Sequence, residues 1–194
     1  MKTKTVGLLG GSFDPAHAGH VNITKAALVC FDLDEVWWLV SPRNPLKQAS
    51  HASFNARLES AAQMMQHPRV HVTGIESRIG TTCTADTLSA LAHSFPKLQF
   101  CWLIGADNLA QFDKWQKWER IMHTVPVGIL ARPGNRLAPL TARAARIYRS
   151  YRVPMTQSRL LAKAKVPSWC YVNLPMSHLS SSALRRGDYP SVYR

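Results

Sequence analysis

The sequence predicts an α/β fold, a parallel sheet covered on both faces by helices. Three observations carry this. Short continuous apolar runs, the pattern of strands buried on both sides, recur along the chain. Stretches with apolar residues at three- and four-residue spacing lie between them, as amphipathic helices require. The 194 residues, 46% hydrophobic and 18% charged, suit one folded domain with a sizeable core. No repeat at solenoid spacing and no low-complexity tract competes with that reading.

The elements follow in order. Residues 6–9 form a short apolar run ending at Gly10-Gly11, a buried first strand. After the turn-forming stretch 12–19, Val21, Thr24, Ala27, Leu28 and Phe31 recur at helical spacing and predict a helix over 20–31. Residues 36–40 are a second strand, and Pro42 and Pro45 force a loop after it. Its neighbours Trp37 and Trp38 would face opposite layers. Residues 54–65 read as helix and 70–72 as a short strand. The alternation then repeats, with a helix over 84–93, a strand over 98–104, a helix over 115–122 starting near Asp107, and a strand over 127–131. Residues 142–148 read as helix, with Arg143, Arg146 and Arg149 on one stripe. Residues 152–168 carry no clear period, 169–173 read as a last strand, and 180–186 as a short helix that serines can cap. The whole of 1–194 is expected to form a single domain.

No apolar run approaches the roughly 20 residues that span a bilayer. Gly10, Gly11 and Asp14 interrupt any signal segment, so a cytoplasmic protein with no membrane partner is expected. Four cysteines, none in a CxxC pair, suggest neither a redox pair nor a zinc cluster, and Cys30 and Cys101 read as core thiols. Charge is uneven. Residues 1–119 hold 11 basic and 10 acidic side chains; residues 120–194 hold 13 basic and one acidic. Such a field draws polyanions or phosphorylated small molecules, although much of it suits a solvated face.

Ligands of open parallel sheets bind beyond the carboxyl ends of the strands. That selects the loops after Leu9, Val40 and Ile104, and the segment around 180–185. The first loop reads Gly10-Gly11-Ser12-Phe13-Asp14-Pro15-Ala16-His17-Ala18-Gly19-His20. Two glycines after a strand let backbone approach a ligand. It is neither a GxGxxG dinucleotide fingerprint nor a GxxxxGK[ST] loop. His17 and His20, three apart at a helix start, can face one site and donate to phosphate oxygens. On spacing alone they also fit a metal pair or helix-surface residues. Near the other end, Ser180, Ser181, Ser182 and Arg185 offer hydroxyls, free N–H groups and a guanidinium fork to an anion, or simply cap a basic surface helix.

Residues 10–20 resemble the GGSFDPxHxGH signature of nucleotidylyltransferases with a split T/HxGH element. Within that superfamily the chain is similar to the bacterial nicotinate-nucleotide adenylyltransferases. Gly105-Ala106-Asp107-Asn108-Leu109 with Phe112, Trp115 and Trp118 resembles that family's GADN…F..W stretch. Thr84-Ala85-Asp86-Thr87-Leu88 resembles its TxDTL segment, residues 41–47 its proline-rich loop with a lysine, and residues 179–185 its ISSTxIR motif. The match runs in order from residue 6 to about residue 186. It departs at Asn44-Pro45-Leu46-Lys47, which lacks the histidine that often precedes the lysine.

The resemblance implies a Rossmann-like doubly wound sheet of the nucleotidylyltransferase type. It implies transfer of the adenylyl group of ATP to nicotinate mononucleotide, giving the dinucleotide and pyrophosphate in NAD biosynthesis. His17, His20, Lys47 and Arg185 would be catalytic. ATP would meet Gly10, Gly11, Ser12, Phe13, His17, His20, Gly105, Asp107, Ser180, Ser181, Ser182 and Arg185, with 180–186 a phosphate-binding helix start. The mononucleotide would meet Asp14, Lys47, Thr84, Thr87, Asp107 and Trp115, the last by stacking on the pyridine ring. Mg²⁺ would arrive with ATP, and no dedicated metal cage is expected. The nucleophile is already an anion, so the work is to offset repulsion between anionic partners. That suits a site of His, Lys, Arg, Ser and glycine N–H groups. An acceptor such as nicotinamide mononucleotide or phosphopantetheine remains open within the superfamily. So do a homo-oligomer and, more remotely, a basic nucleic-acid-binding protein, although no specific nucleic-acid motif is present.

Overall fold

Side chains alternate between two cores along every central strand, as a sheet covered on both faces demands. The computed structural model describes residues 3–42, 52–131 and 138–174. Seven strands are described: β1 (Lys4–Gly11), β2 (Glu35–Val40), β3 (Val70–Thr73), β4 (Leu98–Gly105), β5 (Val127–Ala131), β6 (Arg152–Val153) and β7 (Trp169–Asn173). They form one sheet in the order β3-β2-β1-β4-β5-β7-β6, and every pairing is parallel. The helices are α1 (Ala18–Cys30), α2 (Phe54–Met64), α3 (Ile75–Arg78), α4 (Thr84–Ser94), α5 (Ala106–Leu109), α6 (Trp118–Thr124) and α7 (Arg143–Ile147).

Val6, Leu8, Phe100, Trp102 and Ile104 point into one core, where α4, α6 and α7 add Leu88, Leu91, Ile121, Met122, Ala144 and Ala145. Leu9, Val36, Trp38, Cys101 and Leu103 point into the other, against Ile23, Ala27 and Leu28 of α1 and Ala61 of α2. Trp38 is fully buried in the second core and Trp37 packs against the first, the opposite facing that adjacent strand positions require. Cys101 is a core thiol that burial pushes up to about 12, whereas Cys30, at the end of α1, is only half-buried.

The observed elements differ from expectation in two places. The helix expected over 115–122 is broken. The chain runs through α5, a 3-10 turn at Phe112–Lys114 and a bend before α6 begins at Trp118. Lys117, with φ +57, makes the break, because a left-handed residue cannot continue a right-handed helix. The patternless stretch 152–168 holds the two-residue edge strand β6 and a 3-10 segment, Met155–Lys163, that buries only Ser158, Leu161 and Ala162. Tertiary packing against β7 defines that segment more than any period of its own.

Candidate active site

The strand order reverses at β1: the chain builds outward to β2 and β3, then crosses back to place β4 on the other side of β1. The carboxyl ends of β1 and β4 therefore open the crevice where such sheets take ligands. Gly10 lies at this point because a Cβ there would meet the Trp102 ring at 2.4 Å, so only glycine lets β1 pass beneath that indole.

The loop after β1 ends in a reciprocal cap. His17 is extended at φ −154, and its Nδ1 accepts from Gly19 N at 3.0 Å. His20 Nδ1 accepts from His17 N at 3.3 Å. The two rings lie 3.9 Å apart between centroids. Histidines here do what Ser and Glu do in a common capping box, satisfying N–H groups that a helix start leaves over. The arrangement also assigns the tautomer. A ring whose Nδ1 accepts is neutral with its proton on Nε2, so each imidazole carries an Nε2–H donor. His20 is half-buried, whereas His17 is only 4% exposed.

Phe13 packs beneath the loop. It is 1% exposed, stacks on Trp38 with centroids 4.7 Å apart and tilts against His20 at 4.8 Å. Its ring props the His20 imidazole. Ser12 is 8% exposed, and its backbone carbonyl is held from below.

What holds it is Arg57 of α2, which the sequence reading passed over. Its Nη1 donates to the carbonyls of Ser12 at 2.6 Å and Ser41 at 2.8 Å, and its Nη2 to that of Pro42 at 3.1 Å. One buried guanidinium thus pins the loops after β1 and β2 together. Burial pushes its pKa down, and the buried Asp14 carboxylate nearby works in the opposite sense. A signal was present: Arg57 lies four residues before Ala61, on the inward stripe of α2.

Glu76 in α3 is the second residue missed. It is 4% exposed, accepting at Oε2 from Ser41 Oγ at 2.7 Å and at Oε1 from Thr87 Oγ1 at 3.2 Å. Thr87 is fully buried, and its hydroxyl also meets the Thr81 hydroxyl at 2.8 Å and the Cys83 carbonyl at 3.2 Å. The Thr87 hydroxyl, named above for the mononucleotide, is thus held by protein partners on every side that the described residues show.

Thr84 opens α4 and is half-buried. The bend holding Trp115 runs alongside: Cys83 Sγ lies 3.6 Å from the Gln116 carbonyl, and Lys117 Nζ pairs with Asp86 at 2.8 Å. The fold therefore brings Thr84 and Trp115, 31 positions apart, to one place. Trp115 is half-buried on Phe112, with centroids 5.3 Å apart, and its indole N–H is buried without a partner among the described residues. Trp118 is core. Asp107 is exposed at the carboxyl end of β4, in the first turn of α5. Its Oδ1 folds back over Gly105, where an added Cβ would lie 2.3 Å from it.

Lys47, Ser180, Ser181, Ser182 and Arg185 lie outside the described residues. Among the described residues no three His, Cys, Asp or Glu side chains cluster to hold a metal, and no helix is long and apolar enough to cross a membrane.

Residues 8–187 match the cytidylyltransferase-like family. A protein of a Ruegeria species named a probable nicotinate-nucleotide adenylyltransferase is 54% identical over 182 residues, covering 94% of this chain and 96% of its own. A Cereibacter sphaeroides protein of the same name is 58% identical over 180 residues, covering 93% of this chain and 96% of its own. Among solved structures, the Plasmodium falciparum nicotinic acid mononucleotide adenylyltransferase complexed with NaAD shares the fold with a TM-score of 0.70. It is 18% identical, with coverage of 94% of this chain and 83% of that one. With a signature loop at the switch point and relatives matching nearly end to end, the chain belongs to the cytidylyltransferase-like family and, within it, to the nicotinate-nucleotide adenylyltransferases.

Proposed function

We infer that the protein transfers the adenylyl group of ATP to nicotinate mononucleotide. The mononucleotide phosphate oxygen attacks the α-phosphorus, the bond from that phosphorus to the bridging oxygen breaks, and pyrophosphate leaves. No proton need be removed from the nucleophile, because it is an anion at neutral pH. The observation that carries this reading is the mutual cap of His17 and His20 at the switch point. It leaves both imidazoles neutral, with fixed Nε2–H donors at the start of a 13-residue helix. Donors held before the reaction need no reorganisation as charge builds on the phosphates. The helix N-terminus adds its own attraction for an anion.

The other subsite lies around Thr84 and Trp115. The half-buried indole offers a face for a pyridine ring, while its N–H is buried without a partner among the described residues. Backbone N–H groups of the first turn of α4 would receive the nicotinate carboxylate. Asp107, exposed between the two regions, would meet the ribose and phosphate side of either nucleotide. Lys47 and Arg185 would add cations to the reacting phosphates. Mg²⁺ belongs to the substrate in this reading, carried on the triphosphate, where substrate oxygens and water complete its shell.

The test is pyrophosphate release from Mg·ATP with nicotinate mononucleotide, nicotinamide mononucleotide and phosphopantetheine supplied in separate reactions. Release is expected with the nicotinate compound at a kcat/KM well above the others. Faster release with either of the other acceptors would reassign the substrate.

A further inference from the structure

Glu76 poses a problem that the reaction does not answer. It is 4% exposed, and no Lys, Arg or His pairs with it among the described residues. A buried carboxylate without a cation is costly, and two neutral hydroxyls only partly replace its water. Packing alone would be served better by an apolar side chain. The two hydroxyls come from different elements: Ser41 is the first residue after β2, and Thr87 lies in α4.

We propose that Glu76 is a positioning residue that clamps the N-terminus of α4 to the loop after β2, and so sets the mononucleotide subsite against the phosphate loop. This rests on the reading of the site given above. The chain of contacts is continuous. Arg57 Nη1 joins the Ser12 and Ser41 carbonyls, the Ser41 hydroxyl reaches one oxygen of Glu76, and Thr87 reaches the other. The backbone of the α3–α4 connection closes on the same group, since Thr81 N donates to the Glu76 carbonyl at 3.0 Å while the Thr81 hydroxyl meets Thr87. Thr84 stands one turn before Thr87, and Cys83 touches the carbonyl next to Trp115. Loss of the Glu76 carboxylate leaves the histidine loop held by Arg57 but frees the start of α4. Its effect therefore falls on the mononucleotide side. That burial raises the pKa of Glu76 agrees with a group placed there at a cost in stability.

The experiment compares Glu76→Ala, Glu76→Gln and Thr87→Val with the wild-type chain. Both substrates are varied in the kinetics, and amide hydrogen exchange is followed without substrate. Glu76→Ala is expected to raise KM for nicotinate mononucleotide about tenfold, with KM for ATP changed less than about twofold. Glu76→Gln, which keeps shape and hydrogen-bonding reach, should restore KM to within about threefold of wild type. Thr87→Val, close to isosteric, should reproduce the alanine effect if Glu76→Ala does not fold. Exchange should quicken at residues 84–87 in the alanine and valine variants and stay slow at 17–20. Equal changes in both KM values, a glutamine variant no better than alanine, or unchanged exchange at the start of α4 would overturn the clamp. The exchange readout needs no turnover. A wild-type chain that transfers no adenylyl group would refute the functional reading, while the clamp is judged from exchange alone.

Discussion

The proposed reaction gives His20 a second job beside its cap, at the other ring nitrogen. Its Nδ1 closes the cap on His17, and its Nε2 carries the donor. Replacing it with alanine should lower kcat about a hundred- to a thousandfold, the usual cost of one fixed donor to a developing oxyanion. It should also cost about 1 kcal/mol of stability through the lost cap. Steady-state kinetics and urea unfolding measure the two, and near-wild-type turnover would remove the ring from the reaction. Gly105 makes a complementary case. Its φ of −74 is open to any residue, so alanine introduces no backbone strain. The added methyl meets only the Asp107 carboxylate, a side-chain tip that can swing away. Gly105→Ala is therefore expected to keep Tm within about 2 °C while lowering kcat/KM at least about tenfold. A drop in Tm with unchanged kinetics would show that Asp107 has no part in the site. Phe13 and Thr87 show what a contiguous motif leaves out. Both stand inside the matched strings, yet one is packing and the other is a buried hydroxyl.

At the level of elements, the bend before α6 and the start of α4 form one unit, joined by Cys83 to Gln116 and by Lys117 to Asp86. Trp115 stands on that bend, so its truncation removes ring contact without breaking a helix. Trp115→Ala should raise KM for the mononucleotide about tenfold or more, consistent with the loss of one aromatic stack, and leave KM for ATP unchanged. An unaltered mononucleotide affinity by calorimetry would end the stacking assignment. The α3 element makes a pH prediction. Burial raises the pKa of Glu76 above its ordinary 4.5, against the opposing effect of hydrogen bonds from Ser41 and Thr87. The folded chain then favours the protonated form. Its contribution to stability is whole below the ordinary value and is lost as pH rises through the folded value. Glu76→Gln has no such loss, so the variant should gain stability relative to wild type as pH rises above the ordinary 4.5. Urea unfolding across that range checks it, and a constant difference would contradict the raised value.

The whole molecule carries a net charge of +13, with 13 basic and one acidic side chain over residues 120–194. Seven of those cations, Arg143, Arg146, Arg149, Arg152, Arg159, Lys163 and Lys165, fall between the start of α7 and the start of β7, the stretch of chain that includes the edge strand β6. Both proposed substrates are anions, and a one-signed field raises encounter rates with them until salt screens it. Raising ionic strength from about 0.05 M to about 0.5 M should lower kcat/KM at least about threefold and leave kcat nearly constant. A salt-independent kcat/KM would make the basic stretch irrelevant to substrate capture.

Periodicity and one contiguous signature determined much of this protein. Continuous apolar runs located β5 and β7 to the residue, and helical spacing located α1, α2 and α4 to within two, because a strand buried on both faces is apolar throughout and an amphipathic helix repeats at 3.6. The loop at 10–20 carried its chemistry within a single turn of chain, so it could be read there. Tertiary structure alone decided the histidine tautomers, the break at Lys117, the burial of Phe13 and Thr87, and the bridge from Arg57 through Ser41 to Glu76. Each depends on groups that meet only when distant segments pack: Arg57 lies 45 residues from Ser12, and Glu76 lies 35 from Ser41. A pattern along one stretch records which face is buried; it carries no record of which polar atom waits on the other side.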